Sequence, residues 1–430
     1  MEINPTDTQT RYIQETILDM YKIFRGICEK HNLRYFAIGG TAIGAVRHKG
    51  FIPWDDDLDV AMPRKDYLEF CKVANTELSD RYLFTDHTVN SSSSLVFGKI
   101  SDENTTDIGV VDIDNTANWS GVFLDIFPLD GVPSNSLLFR VHMLRLKLLY
   151  LMIWANIYRP ENKKSTKAKA LLKSLARVAT ARTDTLILKR KFAKLASKYA
   201  FDDRKTKYLA RTWLFSSHHG LQALSRYYKK DFNQSKEFTF EDTTIALPIG
   251  YDRYLNSLYP NYTTLPPESQ RIPSHGDGLL DLSHSYRYHL AKRDGKTIGY
   301  TAGCYDLFHI GHMNLLRRAK QNCDYLIVGI NADEAMYSYK NKYPIIPEHE
   351  RMAIVDGLKF VDEVTLVTNT DKYHAHQEHG YDVIFVGDDH KDEQKWIDLE
   401  KDLSKKGSRV HYFSYTDHIS SSKLRETLKK

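Results

Sequence analysis

The feature that most constrains the fold is an alternation of strand-like and helix-like runs after Thr297. Short apolar runs rich in β-branched residues alternate with longer runs whose apolar residues recur at helical spacing, which is the pattern of βαβ units. The predicted strands cover 298–302, 325–331, 362–367, 381–389 and 409–413, and the predicted helices cover 313–321, 348–358 and 395–405. This alternation predicts a Rossmann-like parallel α/β domain with ligands at the carboxyl ends of its strands.

Two histidines lie where the first of these strands turns into a helix. In TAGCYDLFHIGHMNLL, residues 301–316, His309 and His312 fall near the helix N-terminus, where unpaired N–H groups and the helix dipole favour an anion. Two imidazoles at this spacing can reach one phosphoryl group, although surface or capping histidines would give the same pattern. A second phosphate cradle, or alternatively a helix cap, is predicted at Ser420, Ser421, Ser422 and Lys423.

Four aspartates crowd into five positions at the start of a predicted apolar strand: Asp55, Asp56, Asp57 and Asp59. Strand alternation would place Asp55, Asp57 and Asp59 on one face, where carboxylates repel one another unless cations compensate. Bound Mg²⁺, with Mn²⁺ as an alternative, resolves this repulsion, because hard cations take carboxylate oxygens and can clamp a phosphoryl group. An acidic surface loop is the other interpretation.

Length and composition indicate several folded domains. The 430 residues, 42% of them hydrophobic, suffice for two to three domains. We expect an N-terminal α+β domain over 1–275 with a basic helical insertion at 136–211, a polar linker over 276–296, and the α/β domain over 297–430. The four cysteines lack CxxC spacing, so neither disulfides nor a thiolate zinc site is indicated, and the polar N-terminus does not resemble a signal peptide. These features favour a cytoplasmic location.

The net charge of +5 hides a strongly basic segment, because residues 140–198 contain 16 Lys and Arg against two acids. This segment is either a solvated helical face or a site for a polyanion or an anionic membrane surface, and no nucleic-acid-binding motif accompanies it. Its apolar part, LLFRVHMLRLKLLYLMIW, contains three cations and is not predicted to span a bilayer. It would pack against the N-terminal domain or lie at a membrane interface as a peripheral helix.

The N-terminal motifs occur in a fixed order. They are GGT at Gly39, Gly40 and Thr41, PWDDDLDVAM at 53–62, FGKI at 97–100 and GVFLDIFPLD at 121–130, with a further match at 254–275. Together they resemble the LicD family of phosphotransferases, which have a nucleotidyltransferase-like fold. The resemblance implies transfer of a phosphoryl-linked group from a CDP-activated donor to a glycan, with the GGT turn near the donor phosphates.

The same resemblance implies roles for individual residues. Asp57 and Asp59 would hold metal together with Asp55. Asp59 would also be the candidate for a base, with activation of the hydroxyl by the metal as the alternative. Asp125, on a separate apolar strand, would be a third carboxylate, and Lys99 would donate to phosphate oxygens.

Beyond Thr297, six further motifs follow one another: GCYDLFHIGH, DYLIVGINADE, KNK, EHER, FVDEV and VGDD. They resemble the HxGH cytidylyltransferases, particularly those of the glycerol-3-phosphate type. The resemblance implies that His309 and His312 stabilise the α-phosphate of CTP, with Asp306 orienting one histidine. Lys342 would bind phosphate, and Arg351 would belong to the catalytic site. The remaining nucleotide or phosphate contacts would be Gly303, Tyr305, Gly311, Asp388 and the run Ser420–Lys423.

One arginine expected from this resemblance is missing, because residues 415–418 read YTDH. Lys423, Arg425 or another cation would replace it, or turnover would be lower. The two resemblances predict a bifunctional enzyme that makes a CDP-alcohol from CTP and an alcohol phosphate, and then transfers the phospho-alcohol to a cell-surface glycan. Glycerol 3-phosphate is the favoured alcohol phosphate, with phosphocholine, phosphoethanolamine and ribitol phosphate as alternatives. A non-catalytic nucleotide sensor or scaffold is the rival from another class.

Overall fold

The computed structural model describes residues 5–158, 183–212, 225–272, 278–414 and 424–425. The chain forms two compact units, Met1–Leu282 and Ser283–Lys430, each with its own sheets and core. Both units combine helices with strands, and the second has an entirely parallel sheet. The predicted α/β fold class is therefore confirmed.

The first unit is built on a seven-stranded mixed sheet. Its strands, with those of two small additional sheets, are β1 Phe36–Ala37, β2 Asp59–Pro63, β3 Tyr82–Asp86, β4 Gly98–Asp102, β5 Thr106–Ile108, β6 Phe123–Val132, β7 Tyr208–Ala210, β8 Tyr227–Tyr228, β9 Ser235–Phe240, β10 Thr243–Pro248 and β11 Leu279–Asp281. The main sheet has the order β1-β2-β6-β4-β3, and β7 and β8 continue it from the far end of β6. β2 and β6 run parallel, so the starts of these two strands meet at one edge of the sheet.

The helices of the first unit cover this sheet. They are α1 Pro5–Lys30, α2 Gly39–Arg47, α3 Arg64–Glu77, α4 Ser136–Ile157, α5 Thr185–Ala196 and α6 Tyr251–Leu258. In α1 the apolar residues Ile13, Ile17, Met20, Phe24 and Ile27 recur every three or four positions and are buried. This single stripe fixes which face of α1 meets the core, as expected for an amphipathic helix.

The basic region predicted as helical at 136–211 is only partly so. Helices α4 and α5 pack against each other, while residues 159–182 lie outside the described residues. Near the end of the region, β7 is a strand, because it pairs with β6 through Leu209 and Gly131. No helix in the described ranges is long and apolar enough to cross a membrane.

The second unit is a five-stranded parallel sheet with helices between the strands. Its elements are α7 Tyr286–Arg293, β12 Ile298–Gly303, α8 Ile310–Lys320, β13 Tyr325–Asn331, α9 Asp333–Lys340, α10 Glu348–Asp356, β14 Glu363–Val367, α11 Lys372–His379, β15 Val383–Gly387, α12 Gln394–Ser404 and β16 Arg409–Phe413. The strand order is β14-β13-β12-β15-β16, so the chain reverses direction across the sheet between β12 and β15. Such a switch point opens a crevice at the carboxyl ends of the two strands.

The segment expected to be a polar linker, 276–296, contains two regular elements. Strand β11 pairs with β5 in the first unit, and helix α7 buries Tyr288 and Ala291 in the core of the second unit. The polar composition of this segment hid these contacts, because helix α7 buries only two side chains, Tyr288 and Ala291. The position of the domain boundary stays a prediction.

Candidate active sites

In the first unit, three charged residues lie side by side across adjacent strands. Asp59 on β2 is in register with Asp125 on β6, which is itself in register with Lys99 on β4. Residues in register project from the same face of a sheet, and the Lys99 Nζ lies 3.1 Å from a carboxylate oxygen of Asp125. The Lys99 ammonium also lies over the ring of Phe123, 3.1 Å from its centroid. The structure thus brings together two carboxylates and the lysine that the motifs predicted.

A glycine turn brings helix α2 close to this cluster. Gly39 has a φ of +57°, a value that favours glycine, and a Cβ on Gly40 would lie 2.6 Å from the Asp55 Oδ2. A Cβ on Gly39 would lie 3.4 Å from the Asp59 Oδ2. Backbone atoms therefore approach the carboxylates closely, as a phosphate-binding turn requires. Thr41 is buried, its hydroxyl accepts from the Asp59 N–H at 2.8 Å, and its contact with a phosphate stays a prediction.

The expectation that Asp55, Asp57 and Asp59 share one face of a strand is wrong in its geometry. β2 begins at Asp59, and residues 55–58 form a loop held by the Gln14 side chain, which donates to the Asp55 carbonyl at 2.8 Å. The carboxylates are nevertheless close. Burial, followed by repulsion from Asp57, Asp125 and Asp55, raises the pKa of Asp59 well above its ordinary value, and Lys99 only partly offsets this.

This electrostatic strain is the observation that fits a cation at the site. A divalent ion would favour the charged form of Asp59, and the donor set consists of oxygens, which Mg²⁺ prefers. Within the described residues, these carboxylates do not form a group of three whose ligand atoms all lie within 4.8 Å of one another. Rotation of the loop side chains Asp55 and Asp57 toward Asp59 would therefore accompany binding.

Two residues near this cluster were missed by the sequence analysis. Burial raises the pKa of Tyr259, Arg211 opposes that shift, and the charges of Asp59 and Asp57 add to it. Arg211 is itself buried and donates to the Tyr227 hydroxyl at 3.1 Å. Tyr259 is therefore influenced both by the buried cation Arg211 and by the aspartate cluster. The resemblance over 254–275 covered Tyr259, but nothing in the sequence connected Arg211 to the site.

In the second unit, the two histidines of the HxGH motif cap helix α8 reciprocally. The Nδ1 of His309 accepts from the Gly311 N–H at 3.1 Å, and the Nδ1 of His312 accepts from the His309 N–H at 3.4 Å. The two rings stack with centroids 3.9 Å apart. The capping interpretation and the phosphate interpretation are thus compatible, because the capping hydrogen bonds use only Nδ1 of each ring.

This capping determines which hydrogen-bonding group each ring presents. A neutral imidazole that accepts at Nδ1 carries its proton on Nε2. Burial lowers the pKa of His309, and burial together with the neighbouring His309 lowers the pKa of His312 to about 4. At neutral pH both rings are therefore uncharged Nε2–H donors at the N-terminus of a helix, suited to the oxygens of a phosphoryl group.

Asp306 ties three segments together at this site. Its buried carboxylate accepts from the N–H groups of Ile345 and Ile346 at 3.1 and 3.0 Å, and it pairs with Arg425. Burial alone would raise the pKa of Asp306, but Arg425 and these N–H groups outweigh burial and lower it. Orientation of a histidine by Asp306 stays a prediction. Among the described residues, Arg425 pairs with Asp306 of the motif, and Arg425 is one of the residues proposed to replace the missing arginine.

Arg351 is anchored in the protein interior, and its side chain is fully buried. The guanidinium donates to the carbonyls of Ile346 and Cys304 and pairs with Asp333. Arg351 therefore positions the loop that carries the HxGH motif, and its membership of the catalytic site stays a prediction.

A cavity of about 560 Å³ opens at the switch point of the parallel sheet. Its wall includes Gly303, Tyr305, His312, Asn331, Lys372, Gly387, His390, Lys395 and Trp396. Asp388 is exposed beside this cavity, and Lys342 is exposed on the loop between α9 and α10, so neither lines it. The predicted run Ser420–Lys423 lies outside the described residues.

Comparison with known proteins supports this division of the chain. Residues 300–427 match a cytidylyltransferase-like family model. The second unit resembles the ethanolamine-phosphate cytidylyltransferase of Arabidopsis thaliana (35% identity over 34% of this chain and 35% of that protein) and the bifunctional protein HldE of Mesorhizobium japonicum (36% identity over 22% of this chain and 19% of that protein). The chain thus spans about a third or less of these two relatives. The lipopolysaccharide core biosynthesis protein from Thermoplasma volcanium is 27% identical over 29% of this chain and all of that protein, with a TM-score of 0.26.

The first unit has a more extensive match. Residues 32–145 match the family model described as the LicD/FKTN/FKRP nucleotidyltransferase domain. The lipopolysaccharide cholinephosphotransferase LicD of Haemophilus influenzae is 31% identical over 61% of this chain and 94% of that protein. The aspartate cluster, the glycine turn and Lys99 all lie within this match. The chain belongs to the LicD family and carries, after its LicD unit, a cytidylyltransferase-like domain.

Proposed function

We propose that this protein makes a CDP-alcohol from CTP and an alcohol phosphate in its second unit, and transfers the phospho-alcohol to a glycan in its first. The observation that carries the proposal is the stacked pair of neutral imidazoles, His309 and His312, of which His312 lines a ligand-sized cavity, in one chain with the Asp59 cluster. The product of the first reaction is the donor of the second, and one chain keeps the two activities at a high effective concentration.

In the second unit, an oxygen of the alcohol phosphate attacks the α-phosphorus of CTP, and pyrophosphate leaves as the new phosphoanhydride bond forms. His309 and His312 donate from Nε2 to the oxygens whose negative charge grows in the transition state. Their stacking and reciprocal capping hold both donors in place before the substrate arrives, which lowers the cost of reorganisation. Arg351 and Asp306 keep the motif loop in this geometry.

In the first unit, the acceptor hydroxyl attacks the phosphorus that bears the alcohol, and CMP leaves. Asp55, Asp57, Asp59 and Asp125 would hold Mg²⁺, which supplies charge neutralisation for the phosphoryl oxygens. Lys99 donates to a phosphoryl oxygen, and the Gly39–Gly40 turn admits the phosphate to the backbone. Asp59 is the candidate for accepting the hydroxyl proton, and activation of the hydroxyl by the metal is the alternative, because a metal-bound carboxylate has a low proton affinity.

The two activities should be separable by mutation, because the two sites lie in different units with separate cores. Asp57→Asn with Asp59→Asn should abolish glycan transfer and leave CTP-dependent pyrophosphate release intact. His309→Ala with His312→Ala should do the reverse when CDP-alcohol is supplied. Loss of both activities in either folded double variant would contradict the division.

Matched controls come from the same regions. Asp56→Asn changes a carboxylate of the same loop that is not among the main causes of the raised pKa of Asp59, and His349→Ala removes an exposed histidine of α10. Both control variants should retain both activities. If Asp56→Asn lost glycan transfer as completely as the double variant, loop disruption would explain both results.

The alcohol phosphate that we favour is glycerol 3-phosphate. Lys372 and Lys395 line the cavity together with His390 and one acid, Asp371, so an ammonium group of the substrate would meet two cations against one carboxylate there. Burial lowers the pKa of Lys372 to about 8, so it is still mostly charged at neutral pH. His390 and Asn331 can hydrogen-bond hydroxyl groups.

The names of the relatives point to competitors, namely choline and ethanolamine phosphates, and Trp396 and Tyr305 supply aromatic surface that a quaternary ammonium could use. The test compares kcat/KM for the alcohol phosphates at fixed CTP, with mass spectrometry of the products. A site built to hydrogen-bond hydroxyl groups strongly rejects an analogue without them. Higher kcat/KM for phosphocholine or phosphoethanolamine than for glycerol 3-phosphate would overturn this choice of alcohol and leave the two-step scheme standing.

We further propose that helix α4 brings the first unit to an anionic membrane surface. Phe139, Met143, Leu146, Tyr150 and Ile153 are buried in the core. The opposite side of the helix exposes large apolar residues: Leu137, Leu138, Val141, Leu144 and Leu148. At 3.6 residues per turn this second stripe lies about 180° from the first.

Exposed cations border the outer stripe of α4. Arg140 and Lys147 lie on one side of it and Arg145 on the other, which is the arrangement of an interfacial helix that faces anionic lipid. Leu144→Glu with Leu148→Glu should weaken cosedimentation with phosphatidylglycerol vesicles, and high salt should weaken it in the unmodified protein. Val111→Glu, at another exposed apolar position, is the control. If both variants bound the vesicles equally, the exposed stripe of α4 would face solvent or contact a soluble partner.

A further inference from the structure

Three buried side chains meet at the amino-terminal edge of the parallel sheet, opposite the edge that carries the HxGH motif. His284 precedes helix α7, Glu363 is the first residue of β14, and His379 is the last residue of α11. Their side chains are 4%, 8% and 2% exposed. Neither of the proposed reactions uses this cluster.

The geometry of the cluster is that of a set of metal ligands. The Nε2 of His284 lies 3.0 Å from the Nδ1 of His379 and 4.0 Å from a carboxylate oxygen of Glu363, and the three ligand atoms lie within 4.8 Å of one another. Tetrahedral zinc holds nitrogen and oxygen ligands at roughly 2.0–2.2 Å, which places the ligand atoms about 3.4 Å apart. Small side-chain rotations would therefore seat an ion.

A second layer of contacts orients these ligands. The Tyr325 hydroxyl donates to the other carboxylate oxygen of Glu363 at 2.9 Å, and a carboxylate oxygen of Glu378 lies 3.8 Å from the Nε2 of His379. Metal-binding sites commonly hold their carboxylates by a hydrogen bond and face the distal histidine nitrogen with a carboxylate. The ring of His379 is also stacked on Tyr300, with centroids 5.3 Å apart.

We propose that His284, Glu363 and His379 bind a structural transition-metal ion, with zinc as the ion that the two nitrogens and one oxygen favour. Water would occupy the remaining tetrahedral position. The ion would join the segment before α7 to β14 and α11, two consecutive elements that lie much later in the sequence. The competing description is a buried hydrogen-bonded network in which one imidazole donates to the other, and the experiment below distinguishes the two.

The experiment uses the full chain without an affinity tag, produced with added zinc, dialysed against a weak chelator and analysed for metal by mass spectrometry. We expect one zinc ion per chain, and none in His284→Ala. Co²⁺ loaded in place of zinc should give the visible absorption of a tetrahedral site. Tyr325→Phe should retain the ligands and weaken zinc binding by about tenfold or more, because it removes the hydrogen bond that orients Glu363.

Stability supplies a second readout, since His284→Ala alone could fold poorly. A strong chelator should lower the unfolding temperature of the unmodified protein and leave that of His284→Ala unchanged. His374→Ala on the same helix, and His309→Ala with His312→Ala at the other edge of the sheet, should retain the zinc. Absence of zinc in the unmodified protein, or equal zinc content with and without His284, would overturn the proposal in favour of the hydrogen-bonded network.

Discussion

Acidification is the perturbation that tests most directly whether the HxGH histidines act as neutral donors. Burial and the neighbouring His309 lower the pKa of His312 to about 4, and Asp306 opposes this only weakly. Protonation at Nδ1 would require His312 to give up the hydrogen bond it accepts from the His309 N–H. The same protonation would place a positive charge at the N-terminus of α8, where the helix dipole disfavours it.

The sign and size of the effect on stability follow from this shift. An unfolded histidine titrates near 6.5, so between pH 6.5 and about 4 the unfolded chain binds a proton that folded His312 does not. Stability is therefore fully present above pH 6.5 and declines as the pH falls through this window. Each unit of pKa difference corresponds to about 1.4 kcal/mol, so His312 accounts for a loss of at most about 3.5 kcal/mol.

The assay is a titration of histidines labelled at ring carbon Cε1, followed by NMR, with His312→Gln used to identify the signal. Calorimetry of the same two proteins should show that His312→Gln removes part of the acid-induced loss of stability. His374, which is exposed on α11, serves as the solvent-accessible comparison within the same spectra. A His312 signal that titrates near pH 6.5, or a neutral ring protonated on Nδ1, would refute the reasoning and the donor role built on it.

Three further predictions concern residues that hold the sites in place. Arg351→Met should destabilise the second unit by about 3 kcal/mol in denaturant unfolding, because it removes a fully buried guanidinium that pairs with half-buried Asp333 and donates to two backbone carbonyls, while glycan transfer from supplied CDP-alcohol should persist. Gly40→Ala should lower glycan transfer about 100-fold in a radiolabel assay by displacing Asp55, whereas Gly26→Ala, whose Cβ would meet nothing within 4 Å, should not. Lys189→Met should lower the unfolding free energy of the first unit by about 2 kcal/mol, since it removes both hydrogen bonds that the buried ammonium donates to backbone carbonyls.

The sequence predicted the second unit well because its strands are continuous apolar runs, which parallel sheets require. It missed α9 and α11, each of eight residues, because their apolar residues are too few to show a helical period. In α11 only Ala375 and His379 are buried, and one of these is a polar residue. Tertiary contacts rather than periodicity determine such short helices.

The candidate sites were predictable to the extent that local motifs hold the relevant residues. Asp59, Lys99 and Asp125 were found because each lies in a strand motif, and sheet register then brings them together. The roles of Thr41 and Arg351 could not be read in this way, because a sequence does not state whether a polar side chain faces a ligand or the core. Both are buried and serve to position backbone segments.

The two sites differ in electrostatics in a way that bears on how the reactions are coupled. The histidine pair of the second unit is uncharged at neutral pH and, on the proposed function, would receive phosphates through N–H donors, so it would add no repulsion toward an anionic product. The first unit presents four carboxylates and one nearby lysine, and repulsion among those carboxylates already raises the pKa of Asp59. A CDP-alcohol carries negative charge on its diphosphate and is repelled by such a surface until cations compensate the aspartates. The CDP-alcohol and the divalent cation should therefore enter the first unit together. CDP-alcohol made in the second unit would then be transferred only when the cation is also available.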